Sequence, residues 1–115
     1  ILAWTVEIAA DAERDLSLIF DYLYATYVDL GEPADIAFEH AAARIRGIQE
    51  SVDTLSSNPF RGTMRVNYGP NVRNITIDRA AIWFELDEPE KVVRVLAFFF
   101  GGQDHTRHML RRLLE

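Results

Sequence analysis

Hydrophobic residues recur at helical spacing in two stretches of the first half of the chain. The first stretch contains Leu16, Ile19, Phe20, Leu23, Tyr27 and Leu30, and the second contains Phe38, Ala41, Ile45, Ile48, Val52 and Leu55. Steps of three and four residues predict two amphipathic helices. We expect Asp11 to cap the first helix and Gly31 to end it. Pro33 suits the start of the second helix and Asn58-Pro59 its end, so the two are predicted to form an antiparallel hairpin.

Strand patterns lie on both sides of the predicted helices. One strand is predicted before them, at Trp4–Ile8, and three after them, at Val72–Asp78, Ala81–Leu86 and Val92–Phe100. Asp104 is expected to cap a terminal helix whose apolar side consists of Met109, Leu110, Leu113 and Leu114. The predicted order is therefore β-α-α-β-β-β-α in a single domain over residues 1–115. This is an α+β fold in which a helical hairpin packs on one face of a small, mainly antiparallel sheet.

The last predicted strand, Val92–Phe100, is nearly continuously apolar. Such a run is typical of a strand buried on both faces. Phe98 and Phe100 should point to one face and Phe99 to the other. Only the short terminal helix and the loop between Asn58 and Asn71 can cover the second face. We therefore expect some aromatic surface to remain exposed there, as at a partner site.

Composition excludes several classes of protein. With 115 residues, 49% hydrophobic and 26% charged, the chain is long enough for one core. It has no cysteine, so neither a disulfide framework nor a thiolate metal site is possible. No apolar run approaches the roughly 20 residues that span a bilayer. No secretory leader opens the sequence, so a cytoplasmic location is expected.

Charge is distributed unevenly along the chain. The net charge is -6, but residues 1–57 carry eleven acids and three bases, whereas residues 58–115 carry seven acids and nine bases. Segment 58–79 has four arginines and one acid, Asp78. These arginines are either a cradle for phosphate or an acidic partner, or a solvated edge with ordinary salt bridges.

The whole chain resembles the RelE/ParE superfamily of bacterial toxins. The resemblance rests on the order of elements and on five short segments. These are Trp4-Thr5-Val6-Glu7-Ile8, Ala12-Glu13-Arg14-Asp15-Leu16, Asn58-Pro59-Phe60-Arg61-Gly62, Asn71-Val72-Arg73-Asn74-Ile75, and Arg94-Val95-Leu96 through Gly101-Gly102-Gln103-Asp104-His105. The resemblance implies a type II toxin–antitoxin system. In such a system a small antitoxin with a DNA-binding part and a helical tail neutralises the toxin in a hetero-oligomer.

The superfamily divides by target. RelE-like members cut mRNA in the ribosomal A site with Lys, Arg, Glu, His or Tyr side chains on the open sheet face, and ParE-like members poison DNA gyrase. This chain has one lysine, Lys91, and has phenylalanines where relatives often carry His. An acidic domain is also repelled by ribosomal phosphate. The resemblance is therefore closer to the ParE-like plasmid-stabilisation toxins, acting through protein–protein contact rather than catalysis.

Three functions remain open at this point. The first is a gyrase poison neutralised by a ParD-like antitoxin, without sequence-specific nucleic-acid binding. The second is a ribosome-dependent mRNA endonuclease, and the third is a non-toxic module that binds the antitoxin. The weak catalytic candidates for the second are Arg61, Arg73, Arg94 and His105.

The predicted partner-binding residues come from the loop, the last strand and the terminal helix. They are Arg61, Arg65, Arg73, Phe98, Phe99, Phe100, His105, Arg107 and Arg111. Arg79 is a further cation of the basic segment. His105 and His108 lie one helical turn apart, but zinc needs three or four protein ligands and no third is placed. We expect neither a metal nor a cofactor.

Overall fold

The computed structural model describes residues 3–101 and 105–114, with only the backbone described for His105 and Thr106. Strand β1 (Thr5–Ile8) leads into helices α1 (Ala10–Asp29) and α2 (Ala34–Asp53). Strands β2 (Thr63–Met64), β3 (Val72–Ile77), β4 (Ala80–Asp87) and β5 (Val92–Phe100) follow, and helix α3 (His105–Leu114) comes last. The predicted α+β fold and its element order are confirmed; among the described residues, the two-residue β2 is the one strand that the sequence pattern did not predict.

The helix ends differ in detail from the expectations. Helix α1 begins at Ala10, and its N-cap is Ala9, so the prediction of Asp11 as the cap is wrong. Asp11 lies in the first turn, where it pairs with Arg14 at 3.0 Å and where the helix dipole favours an acid. Pro33, predicted as the first residue of the second helix, is the N-cap of α2, which begins one residue later at Ala34. The predicted cap Asp104 lies outside the described residues.

The five strands form one sheet in the order β1-β5-β4-β3-β2. Strand β1 runs parallel to β5, and the other pairs are antiparallel. Only the first half of β5 has β1 beside it, since the pairing ends at Ile8 and Val95. Beyond this point the outer edge of β5 meets side chains of α1 and α3 instead of a strand.

A β-bulge in β5 changes which face of the sheet the side chains after it take. Trp83 pairs with Ala97 and Phe84 pairs with Val95, which leaves Leu96 as an extra residue in β5. Such an insertion shifts the alternation by one residue. Val95 before the bulge and Phe98 after it therefore both face the helical hairpin. Phe99 faces the opposite side, as predicted.

We call the side of the sheet that packs against α1 and α2 the hairpin face. Its fully buried core combines Ile82, Phe84, Val93 and Val95 with Ile48, Val52 and Leu55 of α2 and the turn after it. The predicted stripes of both helices supply most of the cover. Leu30 and Phe38 are exceptions: Leu30 follows the last residue of α1 and is exposed, and Phe38 of α2 is 51% exposed.

We call the opposite side the α3 face. Its smaller core contains Val72, Ala81, Trp83, Ala97, Phe99 and Met109. Phe99 is 8% exposed, so the prediction that aromatic surface of β5 remains exposed on this face is wrong. On the hairpin face Phe98 is 2% exposed and Phe100 is half-buried. Helix α3 covers Phe99, and the hairpin covers Phe98.

Helix α3 contributes less apolar cover than its sequence suggests. Met109 is fully buried, but Leu110 and Leu113 are half-exposed and Leu114 is 80% exposed. Of the four residues predicted as the apolar side of this helix, Met109 is therefore the one that is buried. The helix contacts the sheet through Met109, through the His108 ring on Phe99, and through Arg112, which donates to the Leu96 carbonyl.

Candidate functional site

A groove runs between α1 and the outer edge of β5, beyond the end of β1. Its volume is 950 Å³. Fifteen residues line it: Asp15, Leu18, Ile19, Tyr22, Leu23, Thr26, Tyr27, His40, Arg44, Arg79, Phe98, Phe99, Phe100, Gly101 and His108. Leu18 and Tyr22 are mostly exposed, so this wall of the groove presents apolar and aromatic surface to solvent.

An ion pair between α1 and α3 closes one end of the groove. The Arg112 guanidinium donates from Nη1 to Asp15 Oδ2 and from Nη2 to Asp15 Oδ1, each at 2.8 Å. Asp15 also accepts from the backbone N–H of Phe98 at 3.0 Å, and Arg112 donates to the Leu96 carbonyl at 3.2 Å. These two side chains therefore occupy backbone groups that a neighbouring strand would otherwise pair with.

Two arginines lie at the other end of the groove. Arg44 of α2 has its guanidinium 5.3 Å from the centre of the Phe100 ring and donates to the Asp78 carbonyl at 3.2 Å. Arg79 lies in the two-residue turn between β3 and β4, and its carbonyl accepts from the Gly101 N–H at 3.0 Å. The groove is thus lined by one cation from the turn between β3 and β4 and by one from the hairpin, and the hairpin cation is bonded to that turn.

A stacked pair forms part of the wall near Arg44. The rings of Tyr27 and His40 are 3.7 Å apart and nearly parallel. His40 Nδ1 lies 3.0 Å from a Glu32 carboxylate oxygen. These contacts tie α1, α2 and their connecting loop together, so this wall is held by the hairpin itself.

The arginines of the basic segment do not form one surface. Arg73 donates to the Phe60 carbonyl at 2.9 Å and lies over the Phe60 ring, on the same side as Ile75 of the hairpin face. Arg61 is nearby in the loop and donates to Thr54 Oγ1 at 2.9 Å. Arg65 belongs to the α3 face, where it lies over the Trp83 ring and donates to Asn74 Oδ1 at 3.1 Å. The sheet separates Arg65 from Arg73.

Arg94 lies on the α3 face, in acidic surroundings. Its guanidinium is 3.7 Å from Glu7 Oε2, and Glu85 is its cross-strand neighbour on β4. The cleft beside it is also lined by Asp87, Glu88 and Glu90. Because Arg73 and Arg94 are on opposite faces, the structure does not bring the predicted catalytic arginines together around one phosphate.

The remaining predicted residues lie on or near α3. Arg107 and Arg111 are exposed and share an outward stripe with Leu110 and Leu114. His108 stacks on Phe99 with ring centres 5.7 Å apart. The side chain of His105 lies outside the described residues. Within the described part of the chain, no group of three or more His, Cys, Asp or Glu side chains is arranged to hold a metal.

Sequence reasoning did not identify Asp15, Arg112 or Arg44 as residues of a site. One signal was present, because Asp15 falls beside Leu16 and Ile19 on the apolar stripe of α1. An acid at such a position needs a partner when it is buried. That the partner is Arg112, 97 residues away, depends on the tertiary fold.

The fold is shared with three solved toxin structures. A chromosomal ParDE toxin–antitoxin system from P. aeruginosa matches with a TM-score of 0.64 at 24% identity, over 85% of this chain and 96% of that chain. The toxin–antitoxin complex RelBE2 from Mycobacterium tuberculosis matches with a TM-score of 0.57 at 15% identity, over 87% and 100%. A variant of the E. coli toxin RelE in the free state matches with a TM-score of 0.61 at 9% identity, over 96% and 98%.

These likenesses confirm that the chain has the RelE/ParE fold that its sequence resembles. No protein-family model and no curated protein matches the chain. In the described residues 3–101 and 105–114, no helix has both the length and the apolar composition needed to cross a membrane.

Proposed function

We propose that this chain, which has the RelE/ParE fold, is the toxin of a type II toxin–antitoxin system and that a ParD-like antitoxin neutralises it in a hetero-oligomer. Two of the similar structures are described as a toxin–antitoxin system and a toxin–antitoxin complex. The groove along α1 supports the same proposal, because an exposed apolar surface on a small domain is typical of a partner site.

We further propose that the toxin poisons DNA gyrase by protein–protein contact. The observation that carries this choice is the placement of the cations. A nuclease needs several charged groups around one phosphate. Here Arg73 is on the hairpin face and Arg94 is on the α3 face, beside Glu7 and Glu85. The acidic cleft around Arg94 would repel a phosphate backbone.

The first experiment induces the chain alone in a bacterial host and follows growth. The proposed toxin arrests growth, and co-expression of the small protein encoded beside it restores growth. Normal growth of cells that express the chain without the neighbouring protein would reject the toxin assignment. It would favour the third function, that of a non-toxic module that binds the antitoxin.

A second experiment separates the targets. Purified protein is added to gyrase in a supercoiling assay, and cleaved DNA is trapped with detergent. Inhibition with accumulation of cleaved DNA supports the gyrase target, and an unaffected enzyme rejects it.

The alternative function is ribosome-dependent mRNA cleavage. It retains support from the fold, because the E. coli toxin RelE is among the similar structures. In that case primer extension on ribosome-bound message gives cuts in phase with codons, and Arg94→Ala removes them. Uncut message in cells whose growth is arrested would exclude this alternative.

A further inference from the structure

We propose that Arg44 and Arg79 form an anion subsite at the end of the groove and that this subsite receives an acidic side chain of an otherwise apolar segment of the partner protein. The inference rests on the proposed function, since the partner meant is the antitoxin. It goes further by naming the residues that recognise the partner and the chemistry of the segment they select.

The floor and outer wall of the groove require an apolar occupant. Leu18 and Tyr22 of α1 present exposed apolar and aromatic surface to the groove, and Phe100 of β5 is half-buried. Among the other apolar lining residues, Ile19, Leu23 and Phe98 are already buried by the fold. Leu18 is mostly exposed although it lies beside buried residues of the same helix. A bound segment with apolar side chains at helical or extended spacing would bury this surface. Burial of apolar surface contributes about 25 cal/mol of favourable free energy per Å².

The charge of the lining requires an acid on that occupant. Among the fifteen lining residues, Asp15 is the one acid, and it is bound by Arg112. Arg44 and Arg79 come from different elements and line the same groove, and Arg44 donates to the carbonyl of Asp78, the residue that precedes Arg79. This is unexpected on the hairpin, because residues 1–57 carry a net charge of -8. Arg44 and Arg79 thus form a local positive charge in a groove whose walls come largely from the acidic first half of the chain.

The backbone holds Arg79 in a conformation that an arginine adopts at some cost. Asp78 and Arg79 have φ values of 50° and 70°, and both central positions of such a tight turn favour Gly or Asn. The turn is held by the Arg44 bond to Asp78 and by the Gly101 bond to Arg79. An arginine at this position is explained if its side chain has a role at the groove.

The surroundings favour a peptide over a nucleic acid or an added strand. Two cations above an apolar floor suit one carboxylate, whereas a nucleic acid needs a longer row of cations. Asp15 and Arg112 already engage the Phe98 N–H and the Leu96 carbonyl. Recognition by side chains in the groove is therefore favoured over extension of the sheet.

The test pans a display library of random peptides, about 12 residues long, against the intact immobilised chain. We expect enrichment of sequences with one acidic residue flanked by apolar residues. A synthetic copy of the enriched peptide should bind the Arg44→Gln/Arg79→Asn double variant roughly tenfold more weakly. Asn tolerates the positive φ at position 79, so this variant retains the turn.

The matched control is Arg14→Gln/Arg46→Gln, which removes the same charge from exposed positions of the two hairpin helices outside the groove lining. This control should bind the peptide as the unchanged chain does. An equal loss in both double variants, enrichment of peptides without acids, or no enrichment would overturn the proposal. Displacement of the peptide by a short single-stranded oligonucleotide would overturn it in favour of nucleic-acid binding.

Growth arrest distinguishes this failure from failure of the proposed function. If the chain arrests growth and the neighbouring protein rescues it equally for the Arg44→Gln/Arg79→Asn variant, the toxin assignment holds and the subsite is wrong. If the chain does not arrest growth but the peptide binding depends on both arginines, the subsite holds and the toxin assignment is wrong.

Discussion

The two faces of the sheet are covered in different ways, and the difference indicates where a partner can bind. Two 20-residue helices pack on the hairpin face and leave its core closed. One 10-residue helix packs on the α3 face, buries Met109 and leaves three leucines exposed. The Asp15–Arg112 pair joins the two covers at the edge of β5. The hairpin face thus supplies most of the stability, and the groove lies where its cover meets that of the α3 face.

Removing a core side chain from each face should show the largest difference. Phe84 and Met109 are both fully buried. Phe84→Ala is expected to lower the free energy of unfolding by about 3–5 kcal/mol, whereas Met109→Ala should cost about 2 kcal/mol because the short α3 can move to fill the space. Urea denaturation of both variants measures this. Equal losses would mean that the two faces contribute equally to the core.

Breaking the junction between the two covers should have the next largest effect. Arg112→Ala leaves the Asp15 carboxylate with the Phe98 N–H as its remaining partner among the contacts described above. Because Arg112 is partly exposed, we expect a loss of about 2–3 kcal/mol rather than the full cost of a buried pair. Arg111→Ala, on the exposed side of the same helix, should change stability by less than about 0.5 kcal/mol. Similar losses for both variants would show that the ion pair does not hold α3.

A polar contact inside the α3 face should matter less. Asn74 is buried and accepts from Arg65, whose guanidinium lies over Trp83. Arg65→Ala should therefore cost about 1–2 kcal/mol in urea denaturation, since it leaves a buried acceptor without this donor. Arg61→Ala, which removes a solvent-exposed bond to Thr54, should cost less than Arg65→Ala. A larger loss of unfolding free energy for Arg61→Ala than for Arg65→Ala would show that the loop contact of Arg61 stabilises the fold more than the Arg65 contact with Asn74.

The smallest effect is expected at the rim of the α3 face. Arg94 and Glu7 are both about half-exposed and 3.7 Å apart. Arg94→Ala should change the free energy of unfolding by no more than about 0.5 kcal/mol. If the chain acts by protein contact through its other surfaces, the variant should also arrest growth as the unchanged chain does. Loss of growth arrest in a variant of unchanged stability would support the alternative function, in which Arg94 takes part in mRNA cleavage.

Local patterns were sufficient to predict most of the fold. The stripes in the two long helices and the run from Val92 to Phe100 gave the right elements because each depends on short-range periodicity. The weakest expectation concerned α3, where four apolar residues suggested a packed side and only Met109 is buried. Periodicity gives the faces of a helix, but the width of the contact depends on the surface it meets.

The candidate site was predicted less well than the fold. Arg61, Arg65, Arg73 and Arg94 were grouped because they carry the same charge and three of them are close in sequence. The sheet places Arg73 and Arg94 on opposite faces, because neighbouring residues of a strand alternate and the pairing of β3, β4 and β5 sets which face each one takes. Arg44 and Arg79 line the same groove although they are 35 positions apart, and sequence spacing carries no signal for such a placement.

The sequence by itself determined the α+β fold class, the order of the main elements, the apolar character of the last strand and the uneven charge. These properties follow from residue type and local spacing. Only the tertiary structure decided that Asp15 and Arg112 close the edge of β5, that Phe98 and Phe99 are covered, and that Arg44 and Arg79 line the same groove. Each of these depends on contacts between elements far apart in the chain, which chain packing sets and local propensity does not.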